Sequence, residues 1–329
     1  MTIYDIAKEA GVSASTVSRV INNKPGIKEE TREKVKELLE KYNYVPNVAA
    51  RGLVMQKSKT IGILVADVRV AHHIEGAYII EKELAAIGYY SIILNTGHKN
   101  EEKEKYIKAL EQRRVDGIIL IGSTFQCDYI KEVIRKSFRE IPVIIANGYI
   151  DLPNVYGIII DELNGIKDCV NLLHSKGHTK LAFVLDHHTP SNYSKKIGFM
   201  EAMIQEGWQE DQLWLYETTS SVEGGYHITK EIVKEHPDIE GIVFSVDITA
   251  VGAIRALMDL KISVPEQVSI TGVDNTIFGE ISYPKLTSLD NKLKDLSRFC
   301  AKVLIDVLEG KDTPKKMMLF TSIVEREST

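Results

Sequence analysis

The 329-residue sequence predicts an α/β protein: three short helices at the N-terminus in a helix-turn-helix arrangement, then two similar lobes of parallel β-sheet. Three observations predict it. Apolar residues recur at helical spacing through residues 1–46. From residue 60 onward, ten short β-branched runs alternate with helix-length segments, the pattern of parallel sheets covered on both faces. Charge is also split. Residues 1–59 hold 11 Lys and Arg against 7 Asp and Glu, a net of +4, whereas the remaining 270 hold 30 against 39, a net of −9. A basic head on an acidic body points towards a head that binds nucleic acid.

Composition narrows the class. Forty-four per cent apolar residues suffice for real cores, and 26% charged is ordinary for a globular chain. At roughly 150 residues per domain the length suggests about two domains. No apolar run approaches the roughly 18–20 residues of a spanning helix, so no membrane partner is expected. The start MTIYDIAKEAG carries acids and a helical period rather than a basic, apolar export signal, which predicts a cytoplasmic protein. Cys127, Cys169 and Cys300 are far apart with no CxxC pair, which argues against a disulfide framework or a structural zinc. All three are expected to be buried.

In the head, Thr2 and Asp5 form a capping-box pattern, with Asp in place of the usual Glu. Ile3, Ile6, Ala7 and Ala10 make one apolar stripe, and Gly11 ends the helix. Ser13 is an N-cap for a second helix whose Val17, Val20 and Ile21 face inward. Ala14, Ser15, Ser18 and Arg19 are left outside. Asn22-Asn23-Lys24-Pro25-Gly26 breaks the chain. A third helix runs from about Glu29 to Lys41, with Val35, Leu38 and Leu39 inward. Small residues let a helix seat deep in the major groove, and one arginine there can form a bidentate pair with guanine.

The run IYDIAKEAGVSASTVSRVINNKPGIKEETREKVKELLEKYNYVPN closely resembles the head of the lactose/galactose-repressor family of bacterial transcription regulators. The resemblance continues into AARGLVMQKSKTIGILV and ends at REST, so it spans the chain. It implies that Ala14, Ser15 and Arg19 read bases, and that Thr16, Ser18 and Asn22 contact phosphates. It divides the chain into a head at 1–46, a hinge at 47–59 and a core at 60–329. Within the hinge, Val48–Met55 is too short to hold a helix alone, and Gly52 weakens it further. The small Ala49 lets two such segments approach closely, and the resemblance makes Leu53 a wedge for the minor groove.

The core is expected to be periplasmic-binding-protein-like, with lobe 1 at about 60–160 plus 292–320 and lobe 2 at about 161–291 plus 321–329. An internal echo supports the two lobes: VDGIILIGS at 115 and IEGIVFSVD at 239 share an acid-Gly-Ile core. Ligands of such sheets bind beyond the carboxyl ends of the strands. Those ends carry Asp67, Asn95, Ser123, Asn147 and Asp161 in the first half, then Asp186, Ser245, Asp247, Asp274 and Asp290. About half should be turn formers or N-caps. The resemblance implies an effector cleft contacted by Asp67, His72, His73, Ser123, Asn147, Lys195, Asp247 and Asp274. Three of its positions depart from the family: His72-His73 replace an aromatic pair, Lys195 an arginine, and Val246-Asp247 an Asn-Asp pair. These departures put a family-typical sugar in doubt.

There is no GxGxxG, no GxxxxGK[ST] and no GxSxG, so no nucleotide cofactor or serine nucleophile is indicated. Neither His72-His73 nor His187-His188 has metal-ligand spacing, and no metal or cofactor is expected. The reading is a non-enzymatic, ligand-responsive regulator, and the resemblance implies a repressor of carbohydrate-utilisation genes. Its partners are palindromic double-stranded operator DNA, a small polar effector and a second copy of itself. The competing reading is an α/β sugar-processing enzyme with an accessory helical domain.

Overall fold

The computed structural model describes residues 1–44 and 58–329. It divides into two compact units, Met1–Ser58 and Lys59–Thr329. The first contains α1 (Ile3–Ala10), α2 (Ala14–Ile21) and α3 (Glu29–Lys41). Local chemistry sets their ends. Asp5 takes the Thr2 amide at 2.8 Å while Thr2 accepts from the Asp5 amide, closing the capping box. Gly11 leaves α1 at φ 71°, a turn that costs glycine little. Ser13 accepts from the Thr16 amide at 3.1 Å and starts α2. Ile6, Ala7, Ala10, Val17, Val20 and Val35 form the core, with Ile21, Leu38 and Leu39 partly buried against it.

The second unit contains two sheets of six strands each among the described residues. The first is built from β1 (Thr60–Val65), β2 (Tyr90–Asn95), β3 (Gly117–Ile121), β4 (Val143–Ala146) and β5 (Val155–Ile160). It is completed by β11 (Lys316–Leu319), in the order β11-β5-β4-β3-β1-β2. The second takes β6 (Leu181–Leu185), β7 (Trp214–Glu217), β8 (Gly241–Phe244), β9 (Ser269–Val273) and β10 (Thr287–Asp290). With β12 (Ser322–Val324) its order is β12-β10-β9-β8-β6-β7. The two orders correspond strand for strand. β3 and β8, which carry the sequence echo, hold the same place in each sheet.

Helices cover both faces. In the first lobe these are α4 (Ala71–Ala86), α5 (Asn100–Gln112), α6 (Asp128–Ser137) and α12 (Leu293–Leu308). In the second they are α7 (Glu162–Ser175), α8 (Pro190–Gln205), α9 (Val222–Glu235), α10 (Asp247–Asp259) and the short α11 (Ile277–Ile281). The central strands β3, β6 and β9 are buried at every position, whereas the edge strand β2 is not. The chain passes between the sheets after β5, after β10, and between β11 and β12. Close helix approach is set by small residues. A Cβ on Gly225 of α9 would lie 1.9 Å from the Thr249 carbonyl oxygen of α10.

Three expectations need correction. The sheets are not wholly parallel: β12 runs antiparallel to β10, with Leu289 opposite Ile323. β11 and β12 also lie outside the ten apolar runs, because both are short edge strands with no fully buried position. Cys127 is half-exposed at the start of α6, while Cys169 and Cys300 are buried. Among the described residues, no helix is long and apolar enough to cross a membrane.

Candidate functional site

In the head, α2 presents an exposed face. Val17 and Val20 fix the buried side of α2, so Ser15 and Arg19 are exposed and Ala14, Thr16 and Ser18 half-buried. The Ser13 hydroxyl lies 2.7 Å from that of Ser15 and 2.9 Å from that of Thr16, so one N-cap organises three hydroxyls. Asn22 donates its amide to the Ser18 carbonyl at 2.7 Å. Arg19 reaches back to the Pro25 carbonyl at 2.8 Å, and Arg32 holds the Lys24 carbonyl at 3.0 Å. Two arginines thus pin the loop after α2. Arg19 keeps further guanidinium donors for an external acceptor. Ala49 and Leu53 lie outside the described residues.

The second site is a cavity of about 610 Å³ beyond the carboxyl ends of both sheets, within the roughly 300–1,000 Å³ of small-molecule sites. The structure brings all eight sequence-selected effector residues to its wall. Asp186 and Ser245 also reach it, while Asn95, Asp161 and Asp290 serve locally. Asn95 accepts the Val68 amide, Asp161 caps α7 and Asp290 accepts the Lys292 amide.

From the first lobe, Asp67 is clasped by Arg69 at 2.6 Å, and this bond holds its carboxyl down at about 2. His73 lies 3.3 Å from the Asp67 carbonyl through Nδ1. Burial, reinforced by His72, pushes its imidazole down to about 4, so His73 is neutral. The carbonyl can only accept, so the proton sits on Nδ1 and the other ring nitrogen is a free acceptor. Asn147, in the left-handed region at φ 60°, accepts the Ile160 amide at 3.2 Å.

The second lobe is wired more densely. Lys195 is 5% exposed. Its ammonium meets Glu162 at 3.2 Å, the Asn192 side-chain oxygen at 3.3 Å and the Ser245 carbonyl at 3.2 Å. Burial works against its charge, but Glu162, Asp274 and Asp186 outweigh it and raise the Lys195 pKa. Asp186 accepts from Asn192 at 2.8 Å, Ser245 at 2.9 Å and His187 at 3.0 Å. Burial opposes its ionisation, yet His187 and Lys195 hold the carboxyl well below the usual range. Asp247 is fully buried on Thr276 and Ser288. Burial is the main cause that pushes it up to about 7, and the charge of Asp274 adds to it.

Contacts cross the cleft. The Ser191 amide donates to Ser123 at 3.1 Å, His98 stacks on His187 with ring centroids 5.2 Å apart, and His72 lies 3.5 Å from Asp274. Glu162, Asn192, Asn291, His98 and His187 were not selected from the sequence for this site. The strand-end rule comes within one or two residues of Glu162, His187 and Asn291. For His98 and Asn192 no local signal exists.

Fold and cavity together define a class: a two-lobed small-molecule receptor that carries a helix-turn-helix unit. Residues 2–47 match the bacterial regulatory proteins of the lacI family, and residues 170–329 match a periplasmic binding protein-like domain. An HTH-type transcriptional regulator of Lachnoclostridium phytofermentans is 31% identical, covering 100% of this chain and 99% of that protein. The lac repressor dimer bound to operator and the anti-inducer ONPF superimposes with a TM-score of 0.90 at 23% identity. That match covers 100% of this chain and 98% of the other, and shows the fold. A ribose-bound LacI family regulator from Enterococcus faecium gives 0.73 at 28% identity, over 82% of this chain and 98% of that one. The chain belongs to the lacI family of bacterial regulatory proteins.

Proposed function

We propose that the chain is a cytoplasmic, ligand-responsive transcription regulator that acts by binding rather than catalysis. It binds a two-fold-symmetric operator as a homodimer and represses genes of carbohydrate use. The observation that carries this reading is the exposed face of α2, where small hydroxylated residues surround one long donor, Arg19. Arg19 turns its remaining guanidinium donors to a guanine, Ala14 and Ser15 fit against neighbouring bases, and Thr16, Ser18 and Asn22 meet phosphates. Ala49 and Leu53 are assigned to the operator centre on sequence resemblance. The cavity takes a small, donor-rich molecule whose contacts include Ser123, Asn147 and Asp274, and its occupancy changes operator affinity. Lys195 braces the wall, because its three protons are already engaged. The likeness to an operator-bound repressor and to a ribose-bound regulator supports this assignment.

The test is selection of a site from random double-stranded DNA, followed by titration of the winner and a scrambled duplex with wild type and Arg19→Ala. Arg19→Ala should weaken the selected site by about 1–3 kcal/mol and relax preference at one guanine per half-site. Equal losses on both duplexes would reduce Arg19 to a phosphate contact. Failure to enrich any sequence would remove the function.

A further inference from the structure

Asn291, 2% exposed, directly follows β10 and lines the cavity. Its side-chain nitrogen lies 2.8 Å from Asp274 and 3.3 Å from Glu162. Both partners are carboxylates and can only accept, so the amide orientation is fixed and its oxygen faces away. That oxygen is buried without a partner. Beside it, Asp274 is held at φ 97°, in the left-handed region that side chains avoid. Its carboxylate is 16% exposed. Among the described residues, no lysine or arginine forms an ion pair with it. Lys195 is spent on Glu162, Asn192 and Ser245, and Arg69 is turned to Asp67. His72 is the nearest cationic candidate at 3.5 Å, too long for a good hydrogen bond, and its facing nitrogen is itself unpartnered.

This corner of the cleft is therefore rich in acceptors, poor in donors and negatively charged. A buried amide oxygen without a partner is costly, and so is a half-buried carboxylate that has one amide donor and no lysine or arginine in ion-pair contact. We propose that the effector presents a protonated amine to Asp274 and Asn291 and carries no anionic group; an amino sugar is the simplest such molecule. An ammonium brings three donors, no acceptor and the missing positive charge. A phosphate or carboxylate would set acceptors against acceptors and add like charge. The hydroxyl of Ser123 and the amide of Asn147, across the cavity, suit the ring hydroxyls. The inference rests on the cleft being the effector site.

The experiment measures thermal stabilisation and calorimetric binding of the full chain with matched sets: glucose, glucosamine and glucose phosphate, and the same three forms of galactose and mannose. At least one amino sugar should raise the melting temperature and bind about tenfold more tightly than its neutral parent. The phosphates should not bind. In Asp274→Asn that advantage should disappear, with circular dichroism and the unliganded melting temperature confirming the fold. Asn291→Ala gives a second variant if the first does not fold. A neutral sugar binding as well as its amine, a phosphate that stabilises, or no stabilisation by any amino sugar overturns the proposal. Tight binding of a neutral sugar would leave the regulator reading intact, whereas loss of sequence-selective DNA binding would end that reading instead.

Discussion

The two lobes share one strand order, yet they turn different walls to the cleft. The first lobe offers His72, whose Nδ1 has no hydrogen-bond partner, His73, set against one carbonyl, and Asp67, answered by an exposed arginine. The second offers a chain of buried groups in which Glu162, Lys195, Asn192, Asp186 and Ser245 satisfy one another. Same topology, therefore, does not mean same mechanics. A fully bonded polar network holds one geometry, because each member loses a partner if any moves. The second lobe is built as a fixed template, and the first as a surface that can adjust to it.

The largest effect should come from the brace of the second lobe. Glu162→Ala leaves the Lys195 ammonium buried without its carboxylate and should cost about 3–5 kcal/mol in urea unfolding. His72→Ala, on the first-lobe wall, removes a nitrogen that has no hydrogen-bond partner and should cost well under half as much. Equal losses would show that both walls are braced, and the contrast would fail.

A smaller effect, dependent on pH, sharpens the same contrast. Asp247 belongs to the second-lobe wall, and its carboxyl is raised from 3.8 to about 7. A carboxyl raised on folding favours the folded state when protonated. Its contribution is fully present below about 4 and is lost as pH climbs towards about 7. Asp247→Asn mimics the protonated form. It should stabilise the protein near neutral pH by on the order of 1–2 kcal/mol, less than the full shift implies, because Thr276 and Ser288 lose a charged acceptor. The gain should shrink as the pH is lowered to about 4. A gain that does not vary with pH would show that the carboxylate is not strained at neutral pH.

The same division governs what is legible in the sequence. The head reads clearly because its signals are local: Thr2 and Asp5 lie three residues apart, as do Ser13 and Thr16, and chemistry at that spacing can be recognised from residue types alone. The central strands read clearly because burial on both faces demands continuous apolar runs. β11 and β12 do not, since each is short and has no fully buried position to demand an apolar run. The strand-end rule brings Asp67, Ser123, Asn147, Asp247 and Asp274 to one cavity, as their place on a parallel sheet requires. It does not reveal the partners that give them their states. Glu162 and Asn291 meet across 129 positions of chain, and in sequence Glu162 looks like an ordinary first-turn acid. The His98–His187 stack depends on how two lobes face each other, which no local pattern encodes.

The smallest effect should be found where the first-lobe wall is most conspicuous. The Arg69–Asp67 contact is short, at 2.6 Å, but Arg69 is 87% exposed. Water and salt screen such a pair, and holding a long side chain in place costs entropy, so exposed pairs add little. The pair does hold the Asp67 carboxyl down to about 2. A depressed carboxyl stabilises the fold above its ordinary value near 3.8, and that contribution is lost as pH falls towards about 2. Arg69→Ala should therefore leave the melting temperature at neutral pH unchanged within error. Any small difference from wild type should fade in acid and in high salt. If the variant instead melts as early as Glu162→Ala, the first-lobe wall is as firmly braced as the second, and its freedom to adjust around a ligand is lost.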